Sequence, residues 1–178
     1  LGMLIAVAGP AIAQQAYPNK AVRFIVPYPP GGSTDPMARL AAGKLAERWG
    51  QPVVVDNRPG GNTIIGTDAV AKAPPDGYTI LLASAAFLSG PSLLPHLPYD
   101  TIKDFVGATT ISKSRHVLVL NPSVPANTLQ EFIALAKSKP GQLNFASSGV
   151  GTNTHLSGEL FNLMTGTKIQ HIPYKGSG

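Results

Sequence analysis

Two segments of the chain set glycines and short polar side chains directly after an apolar run. The first is "PYPPGGSTDP" (27–36) and the second is "NFASSGVGTNTH" (144–155). A helix N-terminus offers unpaired N–H groups and a partial positive charge, and glycine lets a ligand approach the backbone closely. Each segment is therefore a candidate anion site, and together they could hold one anion from opposite sides. The candidate ligand-binding residues are Gly31, Gly32, Ser33, Thr34, Asp35, Ser148, Gly149, Gly151, Thr152, Asn153 and His155.

A purely structural interpretation of both segments stays open. A glycine loop before a helix is a weak motif on its own, and both could be no more than well-capped strand–helix turns. Asp35 would by default stabilise the helix dipole by ~0.3–1 kcal/mol, ahead of recognising a ligand amine. His155 falls in the first helical turn, where an imidazole could contact an anion, be solvated or act as a cap. The occurrence of two such loops in equivalent positions favours a shared ligand.

Other chemistries fail on sequence details. A P-loop needs Gly-Lys-Ser/Thr and a dinucleotide fingerprint needs G-x-G-x-x-G, and "GGSTDP" provides neither. Asp56 lies where a ribose-binding acid would lie, which keeps a nucleotide interpretation open. No G-x-S-x-G elbow occurs, although Ser148, His155 and Asp35 could form a triad on paper. The four histidines lack metal-ligand spacing, and without cysteine there is no disulfide or thiolate chemistry.

Composition narrows the class of partner. The chain has 178 residues, 43% of them hydrophobic and 13% charged, which is typical of a globular protein. Its formal charge is +5 with no long basic block, and aromatic residues make up only 7%. A nucleic-acid partner is therefore not expected. A mild positive charge suits the steering of a small anionic ligand.

Alternating patterns predict the elements that position both loops. Strands are predicted over 21–28, 52–57, 78–84, 106–112, 116–121, 143–148 and 168–174. Helices are predicted from the first loop to Gly50, over 63–73 and 128–141, and within 149–166. This alternation predicts an α/β fold with mostly parallel sheets, in which ligands bind beyond the C-terminal strand ends. A boundary near Phe105 divides it into a first lobe (14–105) and a partial, truncated second lobe (106–178).

Two helices have a predicted apolar face. The face of the first consists of Met37, Ala41, Leu45 and Trp49, with Leu40 adjoining. The face of the last is predicted to turn Leu156, Leu160, Phe161 and Met164 inward. Thr128 and Glu131 predict a capping box at the start of the helix over 128–141. Pro140-Gly141 ends that helix.

The first residues, "LGMLIAVAGPAIAQQA", resemble a secretory signal. Ala11-Ile12-Ala13 has the small-x-small pattern of a cleavage site, so we interpret 1–13 as a signal-peptide remnant. The alternative is a buried N-terminal helix. On the signal interpretation the protein is periplasmic. We also expect the chain to be a fragment of a longer protein at both ends.

Several motifs in order resemble one family. P-P-G-G-S-T-D, N-R-P-G, P-D-G-Y-T, "LPYDTIKDF", "LNFASSGVGTNTHLSGELF" and "HIPYKGSG" are similar to the substrate-binding proteins of tripartite tricarboxylate transporters, the Bug or TctC-type receptors. The resemblance implies a two-lobe periplasmic-binding-protein-like fold that encloses a small carboxylate. It implies that backbone amides of Gly31–Asp35 and Ser148–Asn153, with ordered waters, hold the carboxylate. Ser84 and Ala85 match a further pocket-lining loop.

The resemblance also implies partners and one departure. Receptors of this family deliver ligand to a membrane permease and make no bond, so we expect neither an enzyme nor a cofactor or metal, and we expect a monomer. The run "RPGGNTIIG" lacks part of the family's "RPGAGGNIG"-like glycines at one pocket edge. An α/β enzyme for a nucleotide or acyl substrate, and a sensor without a permease, remain alternatives. Ligand identity stays open, because backbone amides recognise any carboxylate.

Overall fold

The computed structural model describes residues 17–113 and 115–176, and its strands and helices alternate. The elements are β1 (Val22–Val26), α1 (Thr34–Trp49), β2 (Val53–Asn57), α2 (Ile64–Ala71), β3 (Thr79–Leu81), α3 (Ala85–Leu93), α4 (Leu129–Ser138), β4 (Asn144–Ser147), α5 (Asn153–Thr165) and β5 (Gln170–Pro173). A 3₁₀ turn, Gly61–Thr63, precedes α2. The interpretation of 1–13 as a signal remnant lies outside the described residues.

The strands form two parallel sheets. The first has the order β2-β1-β3 and the second pairs β4 with β5. In register, Val26 lies beside Asn57, and Ser147 lies beside Pro173. We call the first sheet with α1–α3 the first lobe, and the second sheet with α4 and α5 the second lobe. The predicted α/β architecture with parallel sheets is confirmed, while the boundary near Phe105 stays a prediction.

The core of the first lobe lies between β1 and α1. Phe24 and Val26 of β1 are buried there, and Ala38 and Ala42 of α1 pack against them. The predicted apolar face of α1 was therefore wrong in part, because the residues in closest packing are alanines. Their small side chains let the helix lie near the strands. Of the larger residues, Met37 is 37% exposed and Leu40 is 69% exposed.

The second lobe has a smaller core. Phe132, Ala136 and Ile169 are buried there, with Phe145 and Phe161 packed against them. The predicted capping box of α4 is confirmed in part. Thr128 Oγ1 accepts a hydrogen bond from the Glu131 N–H at 3.2 Å, but the Glu131 carboxylate accepts from the Asn127 N–H at 2.7 Å, one residue before the N-cap.

The inward face predicted for α5 was wrong for three of its four residues. Leu156, Leu160 and Met164 are 38%, 54% and 78% exposed, and only Phe161 packs into the core. The helix contacts β4 and β5 along the side that carries Gly158 and Phe161. No described element covers the other side.

The strands predicted over 106–112 and 116–121 are also not present in the described residues. Residues 105–113 and 115–121 have no regular secondary structure. Val106, Val117 and Val119 are 96%, 79% and 83% exposed. An apolar, β-branched run becomes a strand only beside a partner, and the described residues provide none. No helix in the described part of the chain is long and apolar enough to cross a membrane.

Candidate functional site

One cleft of about 1350 Å³ is bordered by both lobes. It lies where β1, β3 and β4 end, between loop A (residues 27–33) and loop B (residues 148–152). The first residues of three helices line it: Thr34 of α1, Ala85 of α3 and Asn153 of α5. Unpaired amides and partial positive charge therefore approach the cleft from both lobes. The cleft continues as a groove along α1 as far as Trp49.

The structure divides the predicted site residues into two groups. Those that line the cleft are Gly32, Ser33, Thr34, Ser84, Ala85, Ser148, Thr152 and Asn153. Gly31, Asp35, Gly149, Gly151 and His155 lie behind this lining, where they form the hydrogen bonds that shape the two loops. The sequence reasoning did not separate these two roles.

Asp35 holds loop A from inside the first lobe. Its carboxylate is 5% exposed and accepts hydrogen bonds from the Gly31 N–H at 3.2 Å, Arg39 Nε at 3.0 Å and Asn57 Nδ2 at 3.0 Å. These bonds lower the pKa of Asp35, the one from Arg39 most and the one from Asn57 next. Asp35 is therefore an ionised brace for the loop, which goes beyond the helix-dipole role expected for a first-turn carboxylate.

The two ends of α1 are formed differently. Ser33 occupies the N-cap position with φ −61° and ψ −26°, but its side chain makes no cap hydrogen bond. Gly31 has φ +84°, a left-handed conformation that favours glycine. The end of α1 is as predicted, with Gly50 at φ 63°.

Asn57 and Tyr28 are site residues that the sequence reasoning missed. Asn57 Nδ2 donates to the Tyr28 carbonyl oxygen at 3.2 Å, and Arg39 Nη2 donates to Asn57 Oδ1 at 3.2 Å. Tyr28 lines the cleft, and its hydroxyl bonds the Ser84 hydroxyl after β3. Burial raises the pKa of Tyr28, which keeps the phenol neutral. The sequence signal that could have identified Asn57 and Tyr28 is their position at the ends of two adjacent predicted parallel strands.

Loop B is held by hydroxyl groups. Thr152 is the N-cap of α5: its Oγ1 accepts from the His155 N–H at 3.4 Å and donates to the Gly149 carbonyl at 2.7 Å. The Ser148 N–H donates to Thr154 Oγ1 at 3.1 Å. Thr154 also lines the cleft and was missed by the sequence reasoning.

Two histidines lie directly behind loop B. The Gly151 N–H donates to His155 Nδ1 at 3.0 Å, and His171 Nε2 bonds Ser147 Oγ at 2.6 Å. The two imidazole rings stack with their centroids 4.0 Å apart. Burial, and secondarily the neighbouring His155, lower the pKa of His171.

The two lobes touch at the glycines of loop B. Ser89 Oγ of α3 donates to the Gly151 carbonyl oxygen at 2.7 Å. A Cβ at Gly151 would lie 2.9 Å from Leu93 Cδ1 and from Ser89 Oγ, so glycine is required for this approach. Asn62 lies beside the same loop with φ 54°, and Thr63 follows with φ 76°. The run "RPGGNTIIG", which lacks part of the family's glycine pattern, therefore places the β-branched Thr63 in a left-handed, strained conformation.

The competing chemistries find no support in these contacts. Asp56 accepts from Arg23 Nη2 at 2.9 Å and from Arg58 Nε at 3.0 Å, so its carboxylate is engaged in ion pairs. The catalytic triad considered from the sequence does not form. Its three members have other partners: Ser148 bonds Thr154, His155 bonds Gly151 and Asp35 bonds Arg39. Among the described residues no cluster of His, Asp and Glu could hold a metal ion.

Comparison with known proteins identifies relatives along almost the whole chain. Residues 37–178 match the family model described as "Tripartite tricarboxylate transporter family receptor". The chain is 47% identical to Protein BugT of Bordetella pertussis, with 100% of this chain and 56% of that protein aligned. It is 40% identical to the UPF0065 protein in the tcbD-tcbE intergenic region of Pseudomonas sp. (strain P51), over 91% of this chain and 48% of that one. The chain thus spans about half the length of these curated relatives.

Solved structures agree with the fold. A protein described as a periplasmic transporter is 42% identical with a TM-score of 0.79, over 92% of this chain and 55% of that one. An R. palustris protein solved with adipate is 37% identical with a TM-score of 0.84, over 90% and 54%. MatC from Rhodopseudomonas palustris, solved with bound malate, is 29% identical with a TM-score of 0.80, over 90% and 55%.

Proposed function

The chain belongs to the tripartite tricarboxylate transporter receptor family, and from that premise we propose that it is the carboxylate-binding part of a periplasmic solute receptor. The observation that carries the proposal is the convergence of three helix N-termini, those of α1, α3 and α5, on one cleft between two lobes. The N–H groups at these helix N-termini, and the partial positive charge there, stabilise an anion.

The expected class of ligand follows from the positive helix ends at the cleft and from the ligands that solved relatives hold. Adipate and malate, which two solved relatives hold, are both dicarboxylates. A dicarboxylate has two anionic ends, and the cleft has helix N-termini on two sides. We therefore assign a small dicarboxylate as the preferred ligand, with loop A receiving one carboxylate and loop B the other.

The direct contacts are assigned to the residues that line the cleft. The N–H groups of Gly32, Thr34 and Asn153 donate to the ligand, and the hydroxyls of Tyr28, Ser84 and Thr154 add polar contacts. In loop B the N–H groups of Ser148, Gly149, Gly151 and Thr152 already bond to neighbouring residues and only shape the site. Ala85 contributes the first amide of α3. Asp35 and His155 act on the ligand only through the loops that they hold.

The role that follows is transport. The receptor encloses the ligand outside the cytoplasmic membrane and delivers it to the membrane permease subunits of a tripartite tricarboxylate transporter. No bond is made or broken, because the groups assigned to the ligand are hydrogen-bond donors that hold an anion. An enzyme that binds a nucleotide or acyl group through the same loops is the alternative that the experiment must separate.

The test is binding of adipate, malate and ATP to the full-length natural protein by calorimetry, with two matched variants at Asn153. We expect both dicarboxylates to bind and ATP not to bind. Asn153 is the first residue of α5 and follows Thr152 at φ −72° and ψ 163°, so Asn153→Pro removes its N–H with little backbone change and should weaken dicarboxylate binding roughly tenfold or more. Asn153→Ala keeps the N–H and should retain most of the affinity.

Two outcomes would contradict the proposal. Binding of ATP without either dicarboxylate would favour the enzyme. Equal dicarboxylate affinity in Asn153→Pro and in the unmodified protein would move the carboxylate away from loop B.

A further inference from the structure

Loop B depends on an unprotonated imidazole nitrogen. The Gly151 N–H donates to His155 Nδ1 at 3.0 Å, so Nδ1 must carry a lone pair in this geometry. Gly151 has φ +75° and is buried between Ser89 and Leu93 of the other lobe. The hydrogen bond from its N–H therefore fixes a turn at the contact between the lobes.

The surroundings of His155 favour this tautomer. Its Nε2 lies 3.9 Å from Glu159 Oε1 on the same helix, so the ring proton is placed on Nε2, toward the carboxylate. His171 of β5 stacks on the ring at 4.0 Å, and Phe145 of β4 stacks on the other side of His171 at 5.0 Å. Glu159 and His171 are thus the titratable groups that face His155, while Ser89 and Asn62 approach loop B from the first lobe as uncharged groups.

His171 supports the other end of the same loop. Its Nε2 bonds Ser147 Oγ at 2.6 Å, and Ser147 Oγ in turn accepts from the Gly149 N–H at 3.1 Å. The stacked pair therefore holds loop B at Gly149 and at Gly151. Two protonated rings at this separation would repel each other, and burial lowers the pKa of His171 further.

We propose that His155 is a positioning residue for the ligand site, whose neutral Nδ1 holds loop B in its binding geometry, and that protonation of Nδ1 weakens carboxylate binding as the surroundings acidify. The inference rests on the proposed function of the cleft. The proton comes from solvent and occupies the very lone pair that accepts the Gly151 N–H. The acceptor becomes a donor, two N–H groups face each other, and the hydrogen bond is lost.

The test measures adipate affinity of the full-length natural protein between about pH 8 and pH 6, where both carboxyl groups of the ligand stay mostly ionised. We expect affinity to fall roughly three- to tenfold toward the acidic end, the effect of one lost hydrogen bond. His155→Asn places an amide oxygen near the position of Nδ1 and cannot titrate there, so its affinity should lose most of this pH dependence. His155→Leu has no acceptor and should bind weakly at every pH.

Two controls separate the histidine brace from a general acid effect. His96→Asn changes an exposed histidine outside the cleft and should keep the pH profile of the unmodified protein. The Gly151 amide resonance of the ligand-free protein should shift with pH in the unmodified protein and stay constant in His155→Asn.

Each result decides one claim. A flat affinity profile in the unmodified protein, or a slope that persists in His155→Asn, would overturn the inference and leave the receptor function intact. If the Gly151 resonance titrates as expected while neither adipate nor malate binds, the histidine brace stands and the proposed function fails. A Gly151 resonance that ignores pH would reject the brace whatever the ligand.

Discussion

Loop A and loop B have the same local pattern, a strand followed by glycines and the start of a helix, but they are braced by different chemistry. The brace of loop A is an ionised carboxylate, Asp35, which accepts from Gly31 and is paired with Arg39 at 3.0 Å. The brace of loop B is a neutral imidazole, His155, which accepts from Gly151. In each case a side chain of the following helix accepts a hydrogen bond from a loop glycine four residues earlier.

The difference separates the two halves of the cleft in their response to pH. Arg39 keeps the pKa of Asp35 below its usual range, so the brace of loop A keeps its charge near neutral pH. The brace of loop B is an uncharged acceptor, which protonation at Nδ1 would convert into a donor. One wall of the cleft is therefore constant and the other is adjustable.

The largest effect on ligand affinity is expected from removing Asp35, the brace of loop A. Asp35→Ala leaves the Gly31 N–H and one N–H of the Asn57 side-chain amide without their acceptor, so loop A should lose its geometry. We expect affinity for adipate to fall roughly tenfold or more, since charge-assisted hydrogen bonds are the stronger kind. Calorimetry at neutral pH measures this.

The matched control for that change lies on the same helix. Glu47→Gln removes an exposed carboxylate that bonds Lys44 at 2.8 Å and should leave affinity almost unchanged. Equal losses in both variants would mean that the net charge of α1, and not the brace, supports binding.

A second contrast uses one glycine from each loop-bearing helix. A Cβ at Gly158 of α5 would lie 2.2 Å from Cε2 of Phe145, whose ring already stacks on His171. Gly158→Ala should therefore destabilise the protein by about 1–3 kcal/mol. Gly43 of α1 has no atom within 4 Å of its Cβ position, and Gly43→Ala should stabilise by about 0.5–1 kcal/mol. Denaturant unfolding of both variants tests the opposite signs.

The smallest effect is a loss of stability in acid that is confined to the second lobe. The pKa of His171 is lower in the folded protein than in the unfolded chain, so the unfolded chain binds more protons between the two values. This contribution is fully present above about pH 6.5, the ordinary histidine pKa, and is lost as pH falls through the folded value. The hydrogen-exchange protection factors of β4 and β5, which correct for the slower intrinsic exchange in acid, should therefore fall on acidification, and His171→Gln should remove most of that fall.

The single tryptophan provides an internal reference for the acid effect. Trp49 lies at the end of α1 in the first lobe, so its fluorescence reports the lobe that Asp35 braces. An acid transition of equal size in the Trp49 signal would show that the two lobes respond together, against the contrast drawn here.

Sequence reasoning succeeded where the signal is local. The start of α1 after Ser33, its end at Gly50, and the Thr128 cap of α4 depend on neighbouring residues, and the structure has all three. The glycine loops were identified for the same reason. It failed for Leu156, Leu160 and Met164 and for the segments 106–112 and 116–121, because burial and strand pairing depend on elements that are distant in sequence.

The sequence by itself determined most of the helices and strands, the two glycine loops and the family, because turn residues, caps and hydrophobic periodicity act over a few residues. The tertiary structure decided what each polar residue does. Asp35, Gly151 and His155 look like ligand contacts in the sequence, and only the fold turns Asp35 toward Asn57 and puts His155 beside His171. Side-chain roles follow from which strand ends meet at a sheet edge, and that meeting is set by packing across the whole chain.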